Sequence, residues 1–164
     1  MPTLIKKTIA VLLSSALLVP SMAAACVMDG IGSGALYKVP KQTFSIQLAT
    51  TQAIKANTIT ASTRGSYEQR MMMLMFQLQQ QLNAKSEGEW FLFESSKGHY
   101  YKIIASNSGI NIKQHEVPQG ESEESIIIDV DVLSAIVSKQ INAKQAAELG
   151  ILYLPNNARN LLIS

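Results

Sequence analysis

Between Trp90 and Lys113 the chain carries three short apolar runs separated by turn residues, and this arrangement limits the fold more than any other feature. Trp90 to Phe93 is apolar at every position, as expected of an interior strand covered on both faces. Lys97-Gly98 turns the chain, Tyr100 to Ala105 predicts the partner strand, and Asn107-Ser108-Gly109 supplies a second turn. In Ile110 to Lys113 the isoleucines Ile110 and Ile112 alternate with Asn111 and Lys113, the pattern of a half-exposed strand. Connections this short bring consecutive strands back beside one another, so the three form an antiparallel meander.

A helix precedes the meander, from about Tyr67 to Ala84. Ser66 is its N-cap, and Gln69, three residues on, completes a capping box. Tyr67, Met71, Leu74, Met75, Leu78 and Leu82 fall on one stripe, which predicts a buried face. Met72, Met73 and Phe76 lie outside that stripe, so the helix is expected to cover something on its flank as well. Four methionines within Met71 to Met75 make this surface deformable, because thioether chains refill irregular space more easily than branched ones. Two readings follow: a Met-rich core helix, or a wall of an adaptable apolar ligand site.

After the meander, Pro118 to Glu124 holds Gly120, Glu121, Glu123 and Glu124 and reads as a solvated loop rather than an acid–base pair. Ser125 to Ile128 is a β-branched strand. Asp129 then caps a helix whose Val132, Leu133, Ile136 and Val137 share a face. Asn142 caps a second short helix with Gln145 in the reciprocal position and Gly150 as its left-handed stop. Ile151 to Leu154 is a last strand, ended by Pro155, and Asn156 or Asn157 opens a final helix through Leu161 and Leu162.

The N-terminal part reads differently. Lys6 and Lys7 precede an apolar stretch from Thr8 to Val19, followed by Pro20 and the small residues Ser21, Ala23, Ala24 and Ala25. The apolar stretch is too short to span a bilayer, which predicts a signal peptide over 1–25 and export of the rest. Cys26 to Pro40 is loop-like, and its Gly30, Gly32 and Gly34 follow no strand, as a phosphate loop would require. Thr43 to Ala56 is ambiguous: Phe44, Ile46 and Leu48 alternate like a strand, while Gln42, Gln47, Gln52, Lys55 and a stop at Asn57 favour a helix. Thr58 to Ser66 is a polar connector. Removing the leader deletes two of the fourteen basic residues and leaves twelve against twelve acids, a neutral mature chain with no net basic field for nucleic acid or an anionic membrane.

Cys26 is the only cysteine. A lone thiol in an exported chain is lipidated, paired with another chain, or free. The small residues ending at Cys26 resemble the lipobox of bacterial lipoproteins, although Ala23 stands where a larger aliphatic residue is usual. Diacylation of Cys26 and ordinary cleavage within the alanines both remain open, and with them a membrane-tethered or a freely periplasmic protein.

From about Ser66 to the end, the order of helix, three-strand meander, strand, two short helices, strand and helix resembles the sterol carrier protein type two family. The resemblance is carried by Gly88 to Phe93, Tyr100 to Lys113 and, most specifically, by Asp129, Asp131, Leu133, Asn142, Ala146 and Gly150 in that order. It implies an α+β fold in which helices cover a single five-stranded, mainly antiparallel sheet across residues 66–164, with 26–65 as an N-terminal extension and linker. It also implies binding of an apolar or amphipathic molecule of the fatty acid, phospholipid or isoprenoid class. Met71, Met72, Met75, Phe76, Phe91, Phe93 and Ile136 are the expected lining. The competing reading is an interaction module of the cell envelope that keeps the fold with a filled core. Neither reading invokes a cofactor or a nucleic acid. His99 and His115 are the only histidines and both read as surface residues, too few with one cysteine for a zinc site. No nucleophile elbow, HExxH or Walker loop marks catalysis.

Overall fold

The computed structural model describes residues 39–63, 65–82, 87–119 and 124–162. The leader, Cys26, the three early glycines and Glu121 and Glu123 lie outside the described residues. In chain order the elements are α1 (Thr43–Lys55), α2 (Tyr67–Gln81), β1 (Gly88–Glu94), β2 (His99–Ser106), β3 (Gly109–Gln114), β4 (Ser125–Ile128), α3 (Val130–Val137), α4 (Ala143–Glu148), β5 (Leu152–Tyr153) and, after a short 3-10 turn, α5 (Arg159–Leu162). The expected α+β class is what the chain adopts.

One five-stranded sheet runs in the order β3-β2-β1-β4-β5. The β1–β2, β2–β3 and β4–β5 pairs are antiparallel, while β4 crosses over to lie parallel to β1. This makes β1 a central strand, as its unbroken apolar character requires, and β3 an edge strand, as its polar alternation requires.

Local signals set the helix ends. Ser66 accepts from the Gln69 amide while the Gln69 side chain accepts from Ser66, closing the anticipated capping box on α2. Asn142 and Gln145 repeat the device on α4. Asp129 caps α3 by accepting from the Asp131 amide at 2.9 Å. Gly150 ends α4 at φ +69° and Asn57 follows α1 at φ +56°, the left-handed stops expected of these two residue types. Thr43 to Lys55, ambiguous by periodicity, is helical.

The register divides the strand residues between two faces. Trp90, Leu92 and Glu94 of β1 share a face with Tyr101, Ile103, Ile126, Ile128 and Leu152. Here lies the main core, where Met71, Leu74, Met75 and Leu78 of α2 meet Val132, Leu133, Ala146, Ile151 and Leu161. Fully burying such aliphatic chains stabilises the fold by about 1.5–3 kcal/mol each. The Trp90 indole donates to the Asn157 carbonyl at 2.8 Å, tying the C-terminal turn to the sheet. Phe93, Tyr100 and Ile127 occupy the opposite face, where Ile46 of α1 covers them.

Residues 39–63 do not behave as an extension apart from the domain. Ala53 and Ile59 belong to the main core, and Ile59 is fully buried. The connector after α1 is held to the domain: the Ser62 amide donates to Asp131 at 2.9 Å, Thr60 and Gln140 bond each other twice, and the Arg70 guanidinium donates to the Ser62 carbonyl. A polar stretch with one buried isoleucine thus straps the outside of α3.

Candidate functional site

The ligand wall expected from the sequence does not assemble. Met71 and Met75 are buried against the sheet face that carries Trp90 and Leu92, and Ile136 packs at the edge of the same cluster. Phe91 and Phe93 point the other way, because neighbouring residues of a strand face opposite sides. The sheet itself therefore stands between the methionines and the two phenylalanines. Met72 and Phe76 reach neither cluster. They are 62% and 63% exposed.

The geometry of α2 explains the exposure. Its inner stripe is complete with Met71, Leu74, Met75 and Leu78, and it packs against α3 and β3. Met72, Met73 and Phe76 sit on the far side of the same helix, all more than half exposed, among the exposed glutamines Gln69, Gln77 and Gln80. Phe76 lies four residues from Met72 and three from Met73, so the three side chains are neighbours on one surface. An outward helical face of methionine and phenylalanine, bordered by neutral amides except for the exposed Glu68 one turn before Met72, can exchange water for apolar partner surface.

A buried polar centre that sequence reasoning missed is built around Glu94. This side chain is wholly inaccessible, and its carboxylate accepts four hydrogen bonds. Oε1 receives the amides of Ser96 at 2.8 Å and Val130 at 3.1 Å; Oε2 receives the Tyr67 hydroxyl at 2.6 Å and the Lys97 amide at 3.0 Å. Four donors occupy the lone-pair directions a carboxylate offers. Glu94 thereby joins the first residue of α2, the β1–β2 turn and the N-terminus of α3, where the helix dipole favours an anion. Burial and then the Glu94 charge hold the Tyr67 phenol far above its ordinary range. The available signal was an acidic residue ending an otherwise apolar strand.

Around this centre, Asp129 has its carboxyl pushed up to about 6, chiefly by burial. Arg70 lies 3.6 Å from Asp131. His99, expected at the surface, is half-buried and stacks on Tyr67 at 5.7 Å, whereas His115 is exposed. Among the described residues, no group of three or more histidine, cysteine or acidic side chains could hold a metal ion. The arrangement clamps three elements together, since its carboxylate is already engaged by the fold.

The other sheet face is finished less completely. Lys102 extends over the Phe91 ring with Nζ 5.8 Å from its centre and pairs with Glu89 at 2.8 Å. Under α1 are buried hydroxyls of Thr43, Thr50, Ser95 and Ser125 that have no hydrogen-bond partner among the described residues. Gln47 of α1 reaches down to donate to the Ser95 carbonyl at 2.5 Å. The chain matches no family model and no curated protein.

Proposed function

We propose that this chain is an exported, non-catalytic interaction module of the cell envelope, which docks an apolar protein surface on the outer face of α2. The observation that carries this reading is the outward set Met72, Met73 and Phe76 on a helix whose inner stripe is already used by the core. A contiguous apolar set on the outer side of a helix whose inner stripe is already used is the kind of surface that a partner covers. The border of glutamines with Glu68 favours a protein partner over an anionic membrane, because amides bond to backbone and side chains and the carboxylate repels phosphate. The burial of Met71, Leu74, Met75 and Leu78 within the core cluster supports the same reading.

A small amphipathic ligand, the class implied by the sterol carrier resemblance, is the second reading. It is favoured by the hydroxyls of Thr43, Thr50, Ser95 and Ser125, which are buried without a partner among the described residues, since buried polar groups are ordinarily satisfied by protein, water or ligand. Its place would be between α1 and the Phe93 face rather than beneath the methionines.

Two measurements separate these readings. A photo-crosslinking residue at Met73 in the native envelope is expected to give one discrete protein adduct that disappears with Met72→Glu/Phe76→Glu. Native mass spectrometry of the mature protein is expected to show the unliganded mass. A stoichiometric bound lipid, with no adduct at position 73, would overturn the interaction module in favour of the carrier.

A further inference from the structure

The first helix bears a second outward apolar face, and its surroundings differ in charge from those of α2. Phe44 is 75% exposed and Leu48 is 50% exposed, while the inner side of the same helix is spent on Ile46, Thr50 and Ala53. Phe44, Leu48, Thr51 and Lys55 follow one another at spacings of four, three and four residues, so they form a single line along the helix. Lys41 stands just before this line, Lys55 ends it, and both are exposed. Val39, also half exposed, adds to the apolar end.

Charge in this part of the chain is segregated. From Gly30 to Tyr67 there are four basic residues, Lys38, Lys41, Lys55 and Arg64, and no acid; the rest of the mature chain holds eight basic residues against twelve acidic ones. The neutral total therefore hides a cationic N-terminal quarter and an anionic remainder. A short helix that turns phenylalanine and leucine outward, with lysines at its ends and no carboxylate, has the make-up of one lying in a membrane interface. Its position agrees. Only residues 27–38 separate Cys26 from Val39, a reach of at most about 45 Å when fully extended. A lipid on Cys26 would hold α1 against the bilayer, and this proximity rests on the exported reading above.

We infer that the outer face of α1, Phe44 and Leu48 with Lys41 and Lys55, is a docking surface for an anionic lipid bilayer. The helix lies flat with its apolar line among the acyl chains and its lysines at the phosphates. The Met72, Met73 and Phe76 face of α2 stays available to a different partner.

The test uses the mature protein with Cys26→Ser, so that no acyl chain contributes, and co-sedimentation with vesicles of phosphatidylglycerol and phosphatidylcholine or of phosphatidylcholine alone. Binding is expected on the anionic vesicles and should fall as salt rises. Phe44→Glu/Leu48→Glu should weaken it about tenfold or more, and Lys41→Glu/Lys55→Glu severalfold on anionic vesicles only. Met72→Glu/Phe76→Glu should leave it unchanged, which keeps failure here distinct from failure of the α2 reading. Phe44→Trp supplies a readout without added charge, a blue-shifted emission on anionic vesicles. Absence of wild-type binding, full binding by Phe44→Glu/Leu48→Glu, or an unshifted Phe44→Trp emission would each overturn the proposal.

Discussion

The sheet face beneath α2 and the face beneath α1 are built from the same alternating strands but closed to different degrees. Beneath α2, Leu92, Ile103, Ile126 and Ile128 are fully enclosed, and the single carboxylate among them has every acceptor direction filled. Beneath α1, Phe93 and Ile127 are enclosed, yet one row along the strands Phe91 is only half-buried under Lys102, and the nearby hydroxyls lack partners among the described residues. Closing a face takes more than apolar side chains. Every polar group trapped with them needs a partner, and among the described residues Glu94 has four where the hydroxyls of Thr43, Thr50, Ser95 and Ser125 have none.

The most severe break in this contrast is expected from Glu94→Ala. It leaves the amides of Ser96, Lys97 and Val130 and the Tyr67 hydroxyl without their acceptor, and chemical denaturation should show a loss of about 3–5 kcal/mol. A loss below about 1 kcal/mol would mean that Glu94 is no clamp.

Paired truncations sharpen the comparison next. Leu92→Ala on the closed face should cost about 2–5 kcal/mol, whereas Ile104→Ala should cost about 1 kcal/mol, because Ile104, paired with Glu89 on the Phe91 face, is only half-buried and still meets water. Equal losses in urea melts would show that both faces are closed alike.

The remaining effect is a gain. Burial lifts Asp129 from 3.8 to about 6, so within that interval the folded chain holds a proton the unfolded chain has released. Its contribution is full below the lower value and lost as pH rises through the higher one, and at neutral pH the buried charge is a cost. Asp129→Asn keeps an oxygen for the Asp131 amide and removes that charge. It should raise stability at neutral pH by about 1–2 kcal/mol and flatten the pH profile across the same interval. An unchanged profile would place the titration elsewhere.

The elements themselves were largely legible because their determinants are local. The Ser66–Gln69 and Asn142–Gln145 boxes, the Asp129 cap and the Gly150 stop each act within three or four residues. The ambiguous stretch from Thr43 was different. Its residues fit both periods, and what selects the helix is the seating of Ile46 on Phe93, Tyr100 and Ile127, partners about fifty to eighty residues away. The connector from Thr58 to Ser66 looked merely polar, since one buried Ile59 carries too little pattern to be seen.

The candidate site was less legible. The sequence alone set Met72, Met73 and Phe76 apart from the inner stripe of α2, because helical geometry places them there whatever the helix packs on. Alternation along β1 also put Trp90 and Leu92 on one side and Phe91 and Phe93 on the other. Both sides are apolar and both carry an aromatic residue, so no local signal tells which one meets the methionines. The tertiary structure decides that. The crossover that sets β4 parallel to β1 brings α3 and its neighbours over the Trp90 side, and α1 takes what remains. Glu94 follows the same logic: its identity is written in the chain, but its four partners come from three elements that only the packed fold brings together.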